Sequence, residues 1–226
     1  MRYSKKNPPK SPLERGTFTA PLSKGGWGDK GVPHNSENCC ILHFTGHAEH
    51  NIDFPVDSAL ELADGARLTM RELFDLQLHN YYLVCMSACE TGLTSKSNLI
   101  DEFVGLVSAF LAKGTNYVVS TLWTVDEISS ALIMIEFYRY FKAGTTPPEA
   151  LKQAKKWLRT LTYTNLAKWY IERAADIEFY DLGCCENLES AANQAEQEAN
   201  KKGLAHCPYN HHYYWAGFTV TGKVSS

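Results

Sequence analysis

Three short, continuous apolar runs constrain this chain most: Cys39–Phe44, Tyr81–Met86 and Tyr117–Trp123. None alternates apolar with polar residues, so a strand built from any of them is expected to be covered on both faces. Segments with apolar residues at helical spacing separate and follow them. Phe103, Val104, Val107, Phe110 and Leu111 share one helical face, which Gly114 closes. A second helix is expected from about Glu127 to Phe141, with Gly144 beyond it. Pro147-Pro148 opens a third, in which Ala150, Leu151, Ala154, Trp157 and Leu158 recur. Strands alternating with helices of this length point to an α/β fold, a three-layer sandwich around a mostly parallel sheet.

Shorter signals fill in the order. Ser58–Leu62 alternates and is expected to pair with Ala66-Arg67-Leu68 across the turn Asp64-Gly65. Thr69 followed by Glu72 reads as a capping box, opening a helix that runs to about Leu78. Residues 165–178 and 187–202 also read as helical, within a helical insertion of about 165–212, and Tyr213–Val220 reads as a last strand. Residues 1–38 carry Pro, Gly, Ser and Lys with neither apolar period. They are expected to form a disordered or loosely attached arm before one domain over 39–226.

The function classes narrow by exclusion. With 44% hydrophobic and 21% charged residues and a net charge of −3, the chain has the balance of an ordinary globular domain and no bulk charge for nucleic acid. No apolar run nears the roughly 20 residues that span a bilayer, so no membrane partner is expected. The basic start lacks the apolar segment of a secretory signal, which favours a reducing cytoplasm and free thiols for the seven cysteines. No phosphate-binding glycine motif is present.

In parallel sheets, functional residues collect beyond the carboxyl ends of strands. The first apolar run leads into Thr45-Gly46-His47 and the second into Ser87-Ala88-Cys89. Adjacent strands lie about 4.8 Å apart, so these two endings can approach each other. A His beside a Cys meets the basic demand of thiol catalysis: the imidazole makes the thiolate and returns the proton to the leaving group. The backbone N–H groups of Cys89 and of Ala48, just after His47, are candidates for an oxyanion hole.

Four segments together resemble the CHAT family, caspase-like domains often found beside tetratricopeptide repeats in bacteria. They are His43-Phe44-Thr45-Gly46-His47, Ser87-Ala88-Cys89-Glu90-Thr91-Gly92, Ser120-Thr121-Leu122-Trp123-Thr124-Val125-Asp126 and Tyr213-Tyr214-Trp215-Ala216-Gly217-Phe218. Their wording is most similar to the cyanobacterial branch. The resemblance implies a fold shared with caspases, with His47 as base, Cys89 as nucleophile and a protein as substrate. It implies no metal and no organic cofactor, and a tetratricopeptide-repeat or sensor protein as regulatory partner. In caspase-like enzymes the strand after the nucleophile helix lines the groove and pairs with an extended substrate. This makes Ser120, Trp123 and Asp126 candidate substrate-binding residues, with Glu90 beside the nucleophile as a fourth. The plain alternatives are packing for Trp123, a helix N-cap for Asp126 and a first-turn helix carboxylate for Glu90.

The chain departs from the family pattern at Ala48, where Gly is usual, and upstream, where residues 1–38 do not supply the usual opening strands. A catalytically inactive caspase-like module that acts by protein–protein association is therefore the competing expectation. His43 and Cys85 read as core residues and His50 as a loop residue. His206, Cys207, His211 and His212, with Cys184 and Cys185, carry metal-ligand side chains but no standard zinc spacing.

Overall fold

The computed structural model describes residues 40–46, 48–49, 51, 53–62, 65–76, 78, 81–88, 99–123, 125–178 and 180–222. They divide between two compact units. The first takes in the chain up to Val125, Phe141–Pro148 and the segment from Gly217; the second comprises Asp126–Tyr140 and Glu149–Ala216.

The first unit carries a four-stranded sheet in the order β1 (Cys40–Gly46), β5 (Tyr81–Ala88), β6 (Tyr117–Thr121), β7 (Phe218–Gly222). The β1–β5 and β5–β6 pairs are parallel and β6–β7 is antiparallel, giving a mostly parallel sheet. The apolar runs become strands because both of their faces are buried. Val84 and Met86 of β5 enter a core with Leu42, Phe44 and Val118 and with residues of helices α1 (Met70–Asp75) and α2 (Leu99–Ala112), among them Leu73, Leu106 and Phe110. Leu83 and Cys85 point the other way along the pleat and are also fully buried. Each such side chain contributes about 1.5–3 kcal/mol by leaving water, so the sheet is an interior layer of an α/β sandwich. On that second face Tyr82 stacks on Phe141, ring centroids 6.1 Å apart.

A second, three-stranded antiparallel sheet of β2 (Ala48–Glu49), β3 (Ala59–Glu61) and β4 (Arg67–Thr69) follows β1 directly. The expected hairpin is present, and Gly65 at its turn has φ +70°, a conformation that glycine takes without steric cost. The two-residue β2 has too few residues to show a period in the sequence. Thr69 caps α1 as the sequence predicts: its hydroxyl accepts the Glu72 N–H at 3.1 Å while Glu72 Oε2 accepts the Thr69 N–H at 2.8 Å. The helix stops at Asp75, short of the expected Leu78, where Leu76 turns extended.

The second unit is helical. It contains most of α3 (Glu127–Lys142) and of α4 (Pro147–Thr160), then α5 (Tyr163–Ile177) and α6 (Leu182–Lys202). The last two form an antiparallel hairpin, since the start of α5 meets the end of α6: Tyr163 N–H donates to His206 O and Thr164 Oγ1 to Leu204 O. Ala192, Ala195 and Ala199 of α6 are buried, as are Leu166, Ala167 and Ala174 of α5. Small side chains let these helices approach closely. Helix α6 begins five residues before the sequence suggests, because the Asp181 side chain caps it by accepting the Cys184 N–H.

One expectation is corrected. Tyr213-Tyr214-Trp215 is not strand; His212–Tyr214 forms a 3₁₀ turn, and β7 begins only at Phe218. His211 Nδ1 accepts the Tyr213 N–H and His212 O accepts the Trp215 N–H, so local bonds replace a ladder. No helix among the described residues is long and apolar enough to cross a membrane.

Candidate functional site

Strands β1 and β5 run side by side through seven paired positions, ending at Gly46↔Ala88. These two residues precede His47 and Cys89 in sequence. His47, Cys89, Glu90 and His50 themselves lie outside the described residues.

Ala48 is described. It is buried at 7% exposure, lies in the extended strand β2 and pairs with Leu60 of β3. Extended backbone suits alanine as well as glycine, so this position carries no left-handed strain.

The three ladders of the main sheet end at different heights. The β1–β5 ladder continues to Ala88 and β6–β7 to Thr121↔Phe218, but β5–β6 stops at Cys85↔Val119. Among the described residues no further β5–β6 pair follows that one at the carboxyl rim of the sheet. The expected pairing of β6 with an extended peptide is restricted by this topology. Strand β7 occupies the other edge of β6 throughout, and just past it the Leu122 N–H donates to Gly217 O at 2.8 Å. Among the described residues, the part of β6 from Ser120 onward has no strand paired to it on the β5 side.

The candidate substrate-binding residues differ in what they offer. Ser120 is 2% exposed and its hydroxyl lies 3.0 Å from Thr219 Oγ1, so its side chain is committed to the β6–β7 contact. Leu122 and Trp123 are each 38% exposed at the rim. The Trp123 indole lies across the backbone of Gly217, where a Cβ would come 2.8 Å from Cε2 and 3.1 Å from Nε1. Gly217 is thus a residue that the sequence alone did not single out, although it sits in the conspicuous run Tyr214-Trp215-Ala216-Gly217-Phe218.

Asp126 belongs to the second unit and caps α3. Its Oδ1 accepts the Ser129 N–H at 2.8 Å, and its carbonyl accepts the Ser129 and Ser130 hydroxyls at 3.0 and 2.7 Å. Burial pushes the Tyr170 and Tyr209 hydroxyls above the usual phenol range, and the nearby Asp126 charge adds to the effect at both.

The other polar candidates separate. His43 is half-buried in β1, its Nε2 3.1 Å from Thr45 Oγ1, and burial holds its imidazole below the usual pKa. Cys85 is a core residue. His206 stacks on Tyr163 with centroids 5.6 Å apart, His211 lies against His212, and Cys207 Sγ points to Thr160 O. Cys184 is exposed and Cys185 buried. Among the described residues no three His, Cys, Asp or Glu side chains are grouped to hold a metal ion.

No curated protein matches the chain. A family model described as the CHAT domain matches residues 30–223, which takes in both strand endings, the β6 rim and β7. With that match across most of its length, on an α/β sandwich with a mostly parallel sheet, the chain belongs to the CHAT domain family, a family of the caspase-like cysteine peptidase type.

Proposed function

We propose that this chain is a cysteine endopeptidase of the caspase-like type, hydrolysing peptide bonds in a protein substrate with His47 and Cys89 as its dyad. The observation that carries the reading is the register of β1 against β5: the residues preceding His47 and Cys89 are direct partners on neighbouring parallel strands. Family membership supports it independently. In the reaction, the His47 imidazole takes the Cys89 thiol proton and the thiolate attacks the scissile carbonyl carbon. The N–H groups of Ala48 and Cys89 are candidates to hold the oxyanion, each such donor being worth about 10²–10³ in rate. The imidazole then protonates the leaving amine, and water hydrolyses the thioester. An extended substrate would enter between the ends of β5 and β6, with the exposed Trp123 as one wall. The reading requires no metal or organic cofactor. It includes a cytoplasmic setting and a regulatory partner of the tetratricopeptide-repeat or sensor class.

A peptidyl acyloxymethyl ketone, incubated with the full chain and mapped by mass spectrometry, tests the dyad. Labelling is expected at Cys89 alone and is expected to vanish in His47→Ala. Undiminished labelling in that variant, or modification spread over the other exposed thiols, would contradict it. Complete absence of labelling and turnover, with the fold intact, would instead support a non-catalytic module that acts by protein–protein association.

A further inference from the structure

The helical unit contains a hollow of about 310 Å³ that plays no part in the reaction proposed above. It lies between α3, α4 and α5, and its lining includes Arg139, Trp157, Asn165, Lys168, Trp169 and Glu172. The four α5 residues recur at i, i+3, i+4 and i+7, so one face of that helix turns toward the hollow. We infer that this hollow is a binding site for a small organic anion bearing a flat unsaturated ring, in chemical class an aromatic carboxylate.

Behind the hollow sits a charge that helix packing does not require. Glu136 is 3% exposed; its Oε1 accepts the Trp169 indole N–H at 2.6 Å and also receives Arg139. A buried carboxylate is costly unless paired, and an apolar residue would pack there without that cost. The pair of bonds fixes both the plane of the Trp169 ring and the direction of the Arg139 guanidinium. Trp157 from α4 completes the aromatic wall, its ring 5.8 Å from Trp169 at an angle of 46°. Preorganised groups of this kind reduce the ordering cost of binding.

The sign of the ligand follows from the charges. Arg139 has one nitrogen engaged by Glu136 and is otherwise half exposed at the rim. Lys168 forms no ion pair among the described residues, whereas Glu172 lies 3.5 Å from Arg173, a partner it shares with Asp176 at 3.2 Å. Two cations, Arg139 and Lys168, and one anion, Glu172, thus line the aromatic wall. A cationic ligand would gain from the indole faces but would meet Arg139 and Lys168. An anion satisfies both, with its ring on the half-buried Trp157 indole, which Trp169 backs, and its carboxylate toward the two cations. The volume lies at the small end of ligand pockets, about 300–1,000 Å³, and suits one ring with a short acidic arm.

The test uses phenylacetate as the probe, titrated into the full chain by calorimetry and saturation-transfer NMR. Phenethylamine carries the same ring with the opposite charge, and acetate carries the charge without the ring. Phenylacetate is expected to bind with a Kd of about 1 mM or below and at least roughly tenfold more tightly than either comparator. Lys168→Glu, on an exposed side chain, is expected to weaken it by roughly tenfold or more with the thermal melt unchanged, and Trp157→Leu to weaken it similarly. The inference fails if phenylacetate does not bind, if phenethylamine or acetate binds equally, or if Lys168→Glu leaves affinity unaltered. It also fails if only an acetylated Phe-Asp peptide binds, because the occupant would then be a protein segment. None of these outcomes bears on His47 or Cys89.

Discussion

Gly217 and Asp126 show how a side chain, or its absence, sets the rim of the sheet and the start of a helix. A methyl group at Gly217 would stand 2.8 Å from Trp123 Cε2, well inside van der Waals contact, so the indole has to move. Gly217→Ala is expected to cost about 1–3 kcal/mol in urea unfolding. In a peptide-cleavage assay it should raise KM more than it lowers kcat, since Trp123 is proposed as a wall and not as a reacting group. For Asp126 the cap contact is visible, so Asp126→Ala should lose about 1 kcal/mol, whereas Asp126→Asn should keep most of it. If activity collapses in Asp126→Asn while stability holds, Asp126 serves substrate as well as α3. The Trp123 motif was legible in the sequence, but the bare backbone supporting it was not. A glycine gives no sign of what lies against it until the two strands are paired.

At the scale of elements, the sequence was most legible where burial is symmetric. The runs that became β1, β5 and β6 are apolar on successive residues because Val84 and Met86 face one layer while Leu83 and Cys85 face another. The capping box at Thr69 was equally plain, since its two partners are three residues apart. Legibility failed where neighbours decide. The aromatic run Tyr213-Tyr214-Trp215 has strand composition, yet its rings pack on one another and on Arg159, and its amides bond locally. The α5–α6 hairpin depends on small buried residues on α6, whose role composition alone does not announce. Ala195 is 5% exposed within it, so Ala195→Leu is expected to destabilise the chain by about 1–3 kcal/mol in denaturant unfolding. Leucine in place of Gln194, an exposed residue of the same helix, should be tolerated.

At the scale of the whole molecule, titration tests how well the interior holds. Burial keeps the His43 imidazole below its ordinary pKa, so the folded chain favours its neutral form. Between the folded value and the unfolded value of about 6.5, the unfolded chain binds more protons. Stability from this residue is therefore present above about pH 6.5 and declines as pH falls through that value toward the folded pKa. His43→Gln should flatten the pH dependence of urea stability between pH 7.5 and 5.5 relative to the unchanged chain. The candidate dyad was legible because two apolar runs lead into His47 and Cys89, and the observed register of β1 against β5 concerns the residues just before them.

The path from β1 to β2 has a further consequence. Only one residue of chain separates Gly46, in the four-stranded sheet, from Ala48, in the three-stranded one. Strand side chains alternate with a period of two, so lengthening or shortening this link by a single residue would turn Ala48 from the interior outward and send its neighbour in. The link therefore has no slack in length, and its single residue is His47, the imidazole that the proposed reaction needs.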